Sequence, residues 1–267
     1  MKTIGLIFSL ILAVTVTAQE DFNEQLAVPL SKPGDRGTLK IGLIRGDIKV
    51  QTYDGKEVII DAFAKGGNDC DDCETKSTPS GMKRIASSSV EFSVTENRNL
   101  VHVKTNSWKK PIHLTVKLPA NFDLDLSTVH GKISISGVNG SMEVSTVHGP
   151  LTFTDVSGSI VCNTVHGDVI ANFKKVTPDE PMAFVTLHGD VDVTFPGGTR
   201  AMAKMKSDRG EIFTDFDMSV DKSKPEIKSG SGSYKVSVNS WVYGEINGGG
   251  PEYTFKNMNG DILIRKK

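Results

Sequence analysis

The middle of the chain alternates apolar and polar residues in short runs that glycines separate. Leu124 and Leu126 stand two residues apart before one such glycine, and Ile133 and Ile135 stand two residues apart after it. Side chains at this spacing lie on one face of an extended segment, so the pattern predicts short β-strands that each bury one face. Turns recur about every nine residues, and no segment is predicted to be helical.

One tetrapeptide recurs in this region. Its four copies lie 18, 18 and 22 residues apart: Thr128-Val129-His130-Gly131, Thr146-Val147-His148-Gly149, Thr164-Val165-His166-Gly167 and Thr186-Leu187-His188-Gly189. Divergent copies occur at Ser207-Asp208-Arg209-Gly210 and Asn257-Met258-Asn259-Gly260, and Arg45-Gly46 is an earlier candidate. Six or seven strand–turn–strand units therefore cover most of the chain.

The repetition favours a parallel β-solenoid over an antiparallel meander. In a solenoid, equivalent residues of successive coils stack at about 4.8 Å, so each position meets the same neighbour and the sequence repeats itself. We therefore predict an all-β parallel β-helix of about 18-residue, two-strand coils. The predicted inward columns are Leu124/Met142/Ile160, Leu126/Val144/Cys162, Ile133/Leu151/Val169/Val191 and Ile135/Phe153/Ala171/Val193. Four extra residues before His188, with Pro178 and Pro181, indicate a loop.

The N-terminal part of the chain is less regular. Residues 19–118 are predicted to form a β segment with strands near 38–50, 57–64, 89–94, 100–104 and 112–118 and a polar loop at 65–88; residues 119–267 form the repeat region. The first segment is either sandwich-like or the opening coils of the same solenoid. In the second case one continuous domain begins near residue 38.

Residues 1–18 have the features of a cleaved secretory signal peptide. A basic start precedes an apolar run from Ile4 to Val16, and small residues precede Gln19. The run is shorter than the roughly 20 residues that a spanning helix needs, and no second long apolar run follows. We expect an exported protein with no membrane span after cleavage, located in the periplasm, on the cell surface or in the medium.

Charge and composition exclude one class of partner. The chain has 31 Lys and Arg residues against 32 Asp and Glu, so it lacks the positive field that holds nucleic acid. Its 26 glycines, without the period of collagen, agree with a fold rich in turns.

Three stretches of the sequence together resemble a known group of proteins. They are the run from Pro119 to Leu126 into the first tetrapeptide, the repeated Gly-Lys/Asp-Ile/Val turns, and the ending from Ile246 to Ile262. Over residues 38–267 the chain resembles the bacterial putative-adhesin family of β-strand-repeat proteins. That resemblance implies an exported or membrane-associated β-helix with no demonstrated activity. Histidine in the tetrapeptide departs from the asparagine or serine expected there.

The histidines of the tetrapeptide are the main candidate site. If the coils stack in register, His130, His148, His166 and His188 form a row spaced by about 4.8 Å. Imidazoles bind zinc at about 2.0–2.1 Å, which makes these four weak candidates for a metal site. Protonation of adjacent rings would make the row a pH sensor, and stacking of a favourable turn residue is the structural alternative. Since no column of Asp, Glu or Cys accompanies the histidines, we assign no metal and no cofactor.

The cysteines have separate interpretations. Cys70 and Cys73 flank two aspartates, and in an oxidising compartment a local disulfide is expected; a redox pair and half of a zinc site are the alternatives. Calcium held by Asp69, Asp71, Asp72 and Glu74 is a further alternative, but a solvated acidic loop is the favoured interpretation of these residues. Cys162 stands alone in an inward column and is expected to be a buried hydrophobic residue.

Arg45-Gly46-Asp47 spells an integrin-type tripeptide. It aligns with His166-Gly167-Asp168 and Asn259-Gly260-Asp261 in the repeat, so we interpret it as a glycine turn.

The sequence contains no recognisable catalytic motif. The repeat could place two outward carboxylates, Asp125 and Glu143, side by side, which alone is a weak signal of catalysis. The resulting hypothesis is an exported, non-catalytic β-solenoid, an adhesin or a cell-envelope binding or scaffold protein, whose partner is a surface or envelope glycan or a protein. The alternative is a β-helix carbohydrate-active enzyme, a polysaccharide lyase or hydrolase.

Overall fold

The computed structural model describes residues 22–64, 92–105, 110–222, 226–230, 233–237 and 241–267. The predicted signal peptide, the pair Cys70 and Cys73 and the acidic loop around them lie outside these ranges. Within the described ranges no helix has the length and apolarity needed to cross a membrane.

The described residues form 22 β-strands, and the predicted all-β class is confirmed. In chain order the strands are β1 (Phe22–Pro29), β2 (Gly37–Arg45), β3 (Ile48–Thr52), β4 (Glu57–Ala64), β5 (Phe92–Asn97), β6 (Leu100–Thr105), β7 (His113–Leu118), β8 (Phe122–His130), β9 (Ile133–Ser136), β10 (Asn139–His148), β11 (Leu151–His166), β12 (Val169–Val176), β13 (Met182–His188), β14 (Val191–Phe195), β15 (Ala201–Ser207), β16 (Ile212–Thr214), β17 (Met218–Lys222), β18 (Glu226–Gly230), β19 (Ser233–Ser237), β20 (Val242–Ile246), β21 (Glu252–Asn257) and β22 (Ile262–Lys266).

Twenty of these strands belong to one solenoid-like sheet, and β18 and β19 form a separate hairpin. The sheet has two ladders. The first runs β5-β6-β2-β8-β10-β11-β13-β21-β15-β20-β17, and the second runs β1-β4-β7-β3-β9-β11-β12-β14-β22-β16. Strand β11 belongs to both, because its first residues pair with β9 and its last residues pair with β10 and β13. We use the word rung for a pair of segments: one strand of the first ladder and the strand that comes directly after it in the chain and belongs to the second ladder.

Central rungs pair in parallel and in register. Met142 lies opposite Leu124 on one side and Ile160 on the other, an offset of 18 residues in both directions. In the second ladder Leu151 lies between Ile133 and Val169. The side chains of all four predicted inward columns are buried. The loop expected before His188 lies between β12 and β13.

The rungs do not follow chain order at either end. Strands β6 and β7 lie outside β2 and β3, although they come later in the chain. At the opposite end, β21 and β22 lie between the β13/β14 rung and the β15/β16 rung, which precede them in sequence. Both ladders continue into antiparallel strands at the first end, and the first ladder does so at the second.

The described chain contains eight rungs, one more than the six or seven units that the tetrapeptide marks. The extra rung is β6/β7. Ile112 occupies the position that glycine holds in the other rungs, because its N–H donates to the Arg45 carbonyl as the Gly46 N–H donates to the carbonyl of His130. Without glycine or histidine at this turn, the unit carried no sequence signature.

The core at the second end is aromatic. Phe195 stacks on Phe173 and on Tyr253, with ring centroids 5.0 and 5.4 Å apart, and meets Phe184 and Phe255 edge-on. Burial raises the pKa of Tyr253 to about 12. Cys162 is buried and has a free thiol, as expected, and burial raises its pKa.

Candidate functional site: the histidine edge

Four imidazoles form a continuous stack along one edge of the sheet. His130, His148, His166 and His188 lie directly opposite one another in consecutive rungs. Their ring centroids are 4.7, 5.1 and 4.9 Å apart, and adjacent planes are inclined by 13°, 2° and 19°. The predicted row of histidines is confirmed. Because each ring face is covered by the next ring, the stack presents mainly ring edges to solvent.

The threonine of each tetrapeptide holds consecutive rungs together. Its side chain is buried, and its hydroxyl donates to the carbonyl of the glycine one rung away. The donor–acceptor distances are 3.2 Å for Thr128 and Thr146, 3.1 Å for Thr164 and 2.9 Å for Thr186. Ser207 and Asn257 make the equivalent bond in the divergent copies. The column therefore supplies one buried hydrogen bond per rung beside the histidines.

The glycine is required by backbone geometry. Gly149 and Gly167 have φ of +152° and +147°, which side chains rarely tolerate. A Cβ added at Gly167 would lie 2.2 Å from the carbonyl oxygen of Gly149. At this turn the rungs can approach this closely only without a side chain.

Removing one threonine hydroxyl is a direct test of this column. We expect Thr164→Val to lower the free energy of unfolding by about 1–2 kcal/mol, because the shape is kept while the Gly149 carbonyl loses its side-chain donor in a buried site. The matched control is Thr152→Val, on an outward, half-buried position of the same strand. Urea unfolding of both variants checks the difference. Equal losses would contradict the assigned role.

Three of the four histidines have ring nitrogens that no described residue contacts by a hydrogen bond. Among the described residues, no hydrogen bond is made by the rings of His130, His148 and His166. The Nδ1 of His188 lies 2.8 Å from the amide nitrogen of Asn259. Because that amide nitrogen can only donate, Nδ1 accepts, and the proton of the neutral ring is on Nε2. Both ring nitrogens of His130, His148 and His166 are thus available to a ligand.

Arginines mark the two ends of the histidine row. Arg45 lies opposite His130, in the rung before it. At the other end the row continues from His188 through Asn259, whose side-chain oxygen is 3.5 Å from the Arg209 guanidinium. The full row therefore spans seven rungs.

An acidic column accompanies the histidines, which corrects the sequence-based expectation that none does. Two residues after the histidine position stand Asp168, Asp190 and Asp261, followed by Glu211. The Oδ1 of each aspartate accepts the N–H of the next residue in the column, at 2.8–2.9 Å. The repeated His-Gly-Asp of the sequence marks this column, and the turn geometry shows how its carboxylates link one rung to the next.

An apolar column lies on the other side of the histidines. Ile44, Val129 and Leu187 are 48, 37 and 40% exposed, and Val147 and Val165 between them are half-buried. We define the histidine edge as these three neighbouring columns: the apolar column, the histidine row with its terminal arginines, and the acidic column.

The geometry does not favour a metal ion between the rings. Adjacent rings are nearly parallel, with planes inclined by 2–19°, so the in-plane lone pairs of their nitrogens point side by side and do not converge on one ion. In the part of the chain that the structure describes, no three His, Cys, Asp or Glu side chains are grouped to hold a metal.

The integrin-type tripeptide is a glycine turn at this same edge. Gly46 has φ of +128°, and a Cβ there would lie 1.8 Å from the Ile112 carbonyl oxygen. Asp47 accepts the N–H of Lys132 through Oδ1 at 2.9 Å. Its acid therefore makes the same bond between rungs as the other aspartates of the edge.

The candidate catalytic pair lies away from the edge. Asp125 and Glu143 are opposite each other in β8 and β10, as the repeat predicts. Asp125 is hydrogen-bonded to Lys40, and this contact raises the pKa of the lysine. Lys40, Asp125 and His102 line a shallow cleft of about 290 Å³. A second open cleft, of about 460 Å³, lies near Tyr53 and Pro119.

Comparisons with known proteins place the chain in a family. Two solved structures are similar to it over most of its length. One is described as a putative cell adhesion protein from Clostridium sporogenes, with 13% identity, coverage of 93% of this chain and 100% of that chain, and a TM-score of 0.42. The other is described as a putative adhesin from Bacteroides fragilis, with 11% identity, coverage of 93% and 98%, and a TM-score of 0.38.

Comparison with curated proteins gave no match. The family model described as Toastrack DUF4097 matches residues 37–265, most of the chain. This match confirms the resemblance to the bacterial putative-adhesin group. The chain belongs to the Toastrack DUF4097 family.

Proposed function

We propose that this protein is exported, is not catalytic, and binds a partner at the cell surface or in the cell envelope through the histidine edge. The observation that carries the proposal is the row of stacked imidazoles, three of which have ring nitrogens without a hydrogen bond to any residue that the structure describes. A fold needs a turn at this position, but a turn alone does not need four exposed imidazoles in register. Their repetition supplies a linear set of polar groups that are free to contact a partner.

The stack also suits binding because its geometry is fixed before a partner arrives. Each ring is held between its neighbours, and each rung is tied to the next by the threonine hydroxyl and the backbone ladder. Groups that are already ordered lose little conformational entropy on association. The proposal treats the repeat region as a parallel β-helix of 18-residue coils, which the 18-residue offsets among β8, β10 and β11 support.

The alternative, a β-helix polysaccharide lyase or hydrolase, would need acids and bases that converge on a substrate. Asp125 and Glu143 are neighbours, but Asp125 is paired with Lys40. This pairing supports an ordinary outward strand position more than a catalytic one. We therefore retain binding as the proposed function.

One experiment separates binding from catalysis. The purified protein beginning at Gln19 is mixed with isolated bacterial envelopes and with a panel of polysaccharides. Saturable sedimentation with the envelopes, without release of reducing ends, supports the proposal. Release of reducing ends overturns it in favour of the enzyme, and absence of both binding and cleavage overturns it in favour of a purely structural role. Recovery of a chain starting at Gln19 from the exported fraction tests export.

A further inference from the structure

We propose that the histidine edge binds an extended, uncharged, hydroxyl-rich polysaccharide, with one monosaccharide beside each rung. This inference rests on the proposed function, because it takes the edge to be a binding surface. It adds the chemical class of the ligand, and three independent features of the edge support it: its period, its hydrogen-bonding groups and its charge.

The first feature is the period. The imidazoles repeat at 4.7–5.1 Å, and every other column of the edge repeats with the same rungs. A flat, extended polysaccharide advances by a comparable distance with each sugar. A ligand of this kind can therefore present an equivalent hydroxyl group to each successive rung.

The second feature is the set of hydrogen-bonding groups. A neutral imidazole offers one donor and one acceptor, and a hydroxyl group can satisfy either. The Oδ1 atoms of Asp168, Asp190 and Asp261 accept backbone N–H groups, whereas no contact within the described residues uses their Oδ2 atoms. The rungs of His166 and His188 thus combine a ring nitrogen with a carboxylate oxygen, that of Asp168 or Asp190. Alternating donors and acceptors match the hydroxyl groups of a sugar.

The third feature is the charge. A row of carboxylates disfavours a polyanion, because anionic groups of such a ligand beside the last four rungs of the edge would meet Asp168, Asp190, Asp261 and Glu211. Positive charge at the edge is confined to its ends and to one rung, at Arg45, Arg209 and Lys132. The apolar column of Ile44, Val129 and Leu187 offers a surface for the C–H faces of sugar rings. An uncharged polysaccharide fits this combination better than an anionic one.

Calorimetric titration with defined oligosaccharides tests the inference. The probes are cellohexaose and chitohexaose as neutral ligands and hexagalacturonate as the anionic one. We expect saturable heat with at least one neutral hexasaccharide, weaker binding of its trisaccharide, and weaker binding of hexagalacturonate. Tighter binding of hexagalacturonate, or no binding of any neutral probe, would overturn the inference.

Variants locate the site. The double change His148→Ala with His166→Ala should weaken binding of the neutral hexasaccharide by about tenfold or more, because it removes two hydrogen-bonding side chains from the centre of the edge. The control is His102→Ala, which removes a histidine of β6 away from the edge. Leu187→Ser, at a 40% exposed position, should also weaken binding and is a second variant if the double change disturbs folding. Unchanged affinity in a folded Leu187→Ser protein and in a folded double variant would overturn the assignment.

The two proposals fail in different ways. Envelope binding that persists without any affinity for the neutral oligosaccharides contradicts the ligand class and leaves the binding function standing. If the protein binds neither the envelopes nor any neutral oligosaccharide, the proposed function itself is contradicted.

Discussion

Gly167→Ala is expected to lower the free energy of unfolding by about 4 kcal/mol, because a methyl group at this turn meets both backbone strain and a backbone clash. Two costs combine. Alanine is strained at φ of +147°, which costs of order 1–3 kcal/mol. The new Cβ would also lie 2.2 Å from the Gly149 oxygen and 2.8 Å from the nitrogen of Pro150, so two rungs must move apart.

The matched control is Gly198→Ala. No atom lies within 4 Å of a Cβ placed there, and its backbone is outside the left-handed region. Urea unfolding at 25 °C should show a change below about 1 kcal/mol for this variant. A loss for Gly167→Ala no larger than that of the control would show that the rungs are not held at the spacing described. Ring stacking would then need another explanation.

Phe195→Ala should lower the free energy of unfolding by about 3–5 kcal/mol, as expected for removal of a buried aromatic side chain. Phe195 contacts four rings, two by stacking and two edge-on, so a cavity there cannot be filled by one neighbour. The loss includes aromatic contacts as well as buried area.

Phe213→Ala is the control for this variant, because Phe213 lies on the short strand β16 and is 47% exposed. Its loss should stay below about 1 kcal/mol in the same unfolding experiment. Similar losses for the two phenylalanines would indicate that the aromatic cluster around Phe195 is not a closely packed core. The comparison uses one residue type, so differences in side-chain entropy are small.

The central part of the fold could be predicted because two simple regularities coincide there. Alternation assigns Leu124 and Leu126 to the inside, and the 18-residue repeat then places Met142 beside Leu124. The same repeat predicts the histidine row, since a residue that is fixed relative to the glycine turn must stack on its counterpart. The strand register in this region is therefore given by the 18-residue spacing of the repeat alone.

The ends of the fold could not be predicted in this way. Spacing along the chain orders the rungs only while neighbours in sequence are neighbours in space. The divergent copy that ends at Gly260 pairs with the His188 rung, although the copy that ends at Gly210 comes first in the sequence. Nothing in the residues of the two copies indicates which one meets His188. The rung at Ile112 was missed because it lacks glycine. The acidic column was visible in Asp168 and Asp190, but its proximity to the histidines became evident only with the turn geometry.

Strands β21 and β22 lie between rungs that precede them in the sequence, and this position affects how the protein folds during synthesis. These strands follow all other described strands in the chain, yet β13 and β14 on one side and β15 and β16 on the other pair with them directly. Until residues 252–266 have left the ribosome, the β13/β14 rung and the β15/β16 rung therefore lack the strands that connect them. A simple repeat array can fold by adding units to one end as they emerge. Here that route is closed, and completion of the sheet has to wait for the last strands to be synthesised.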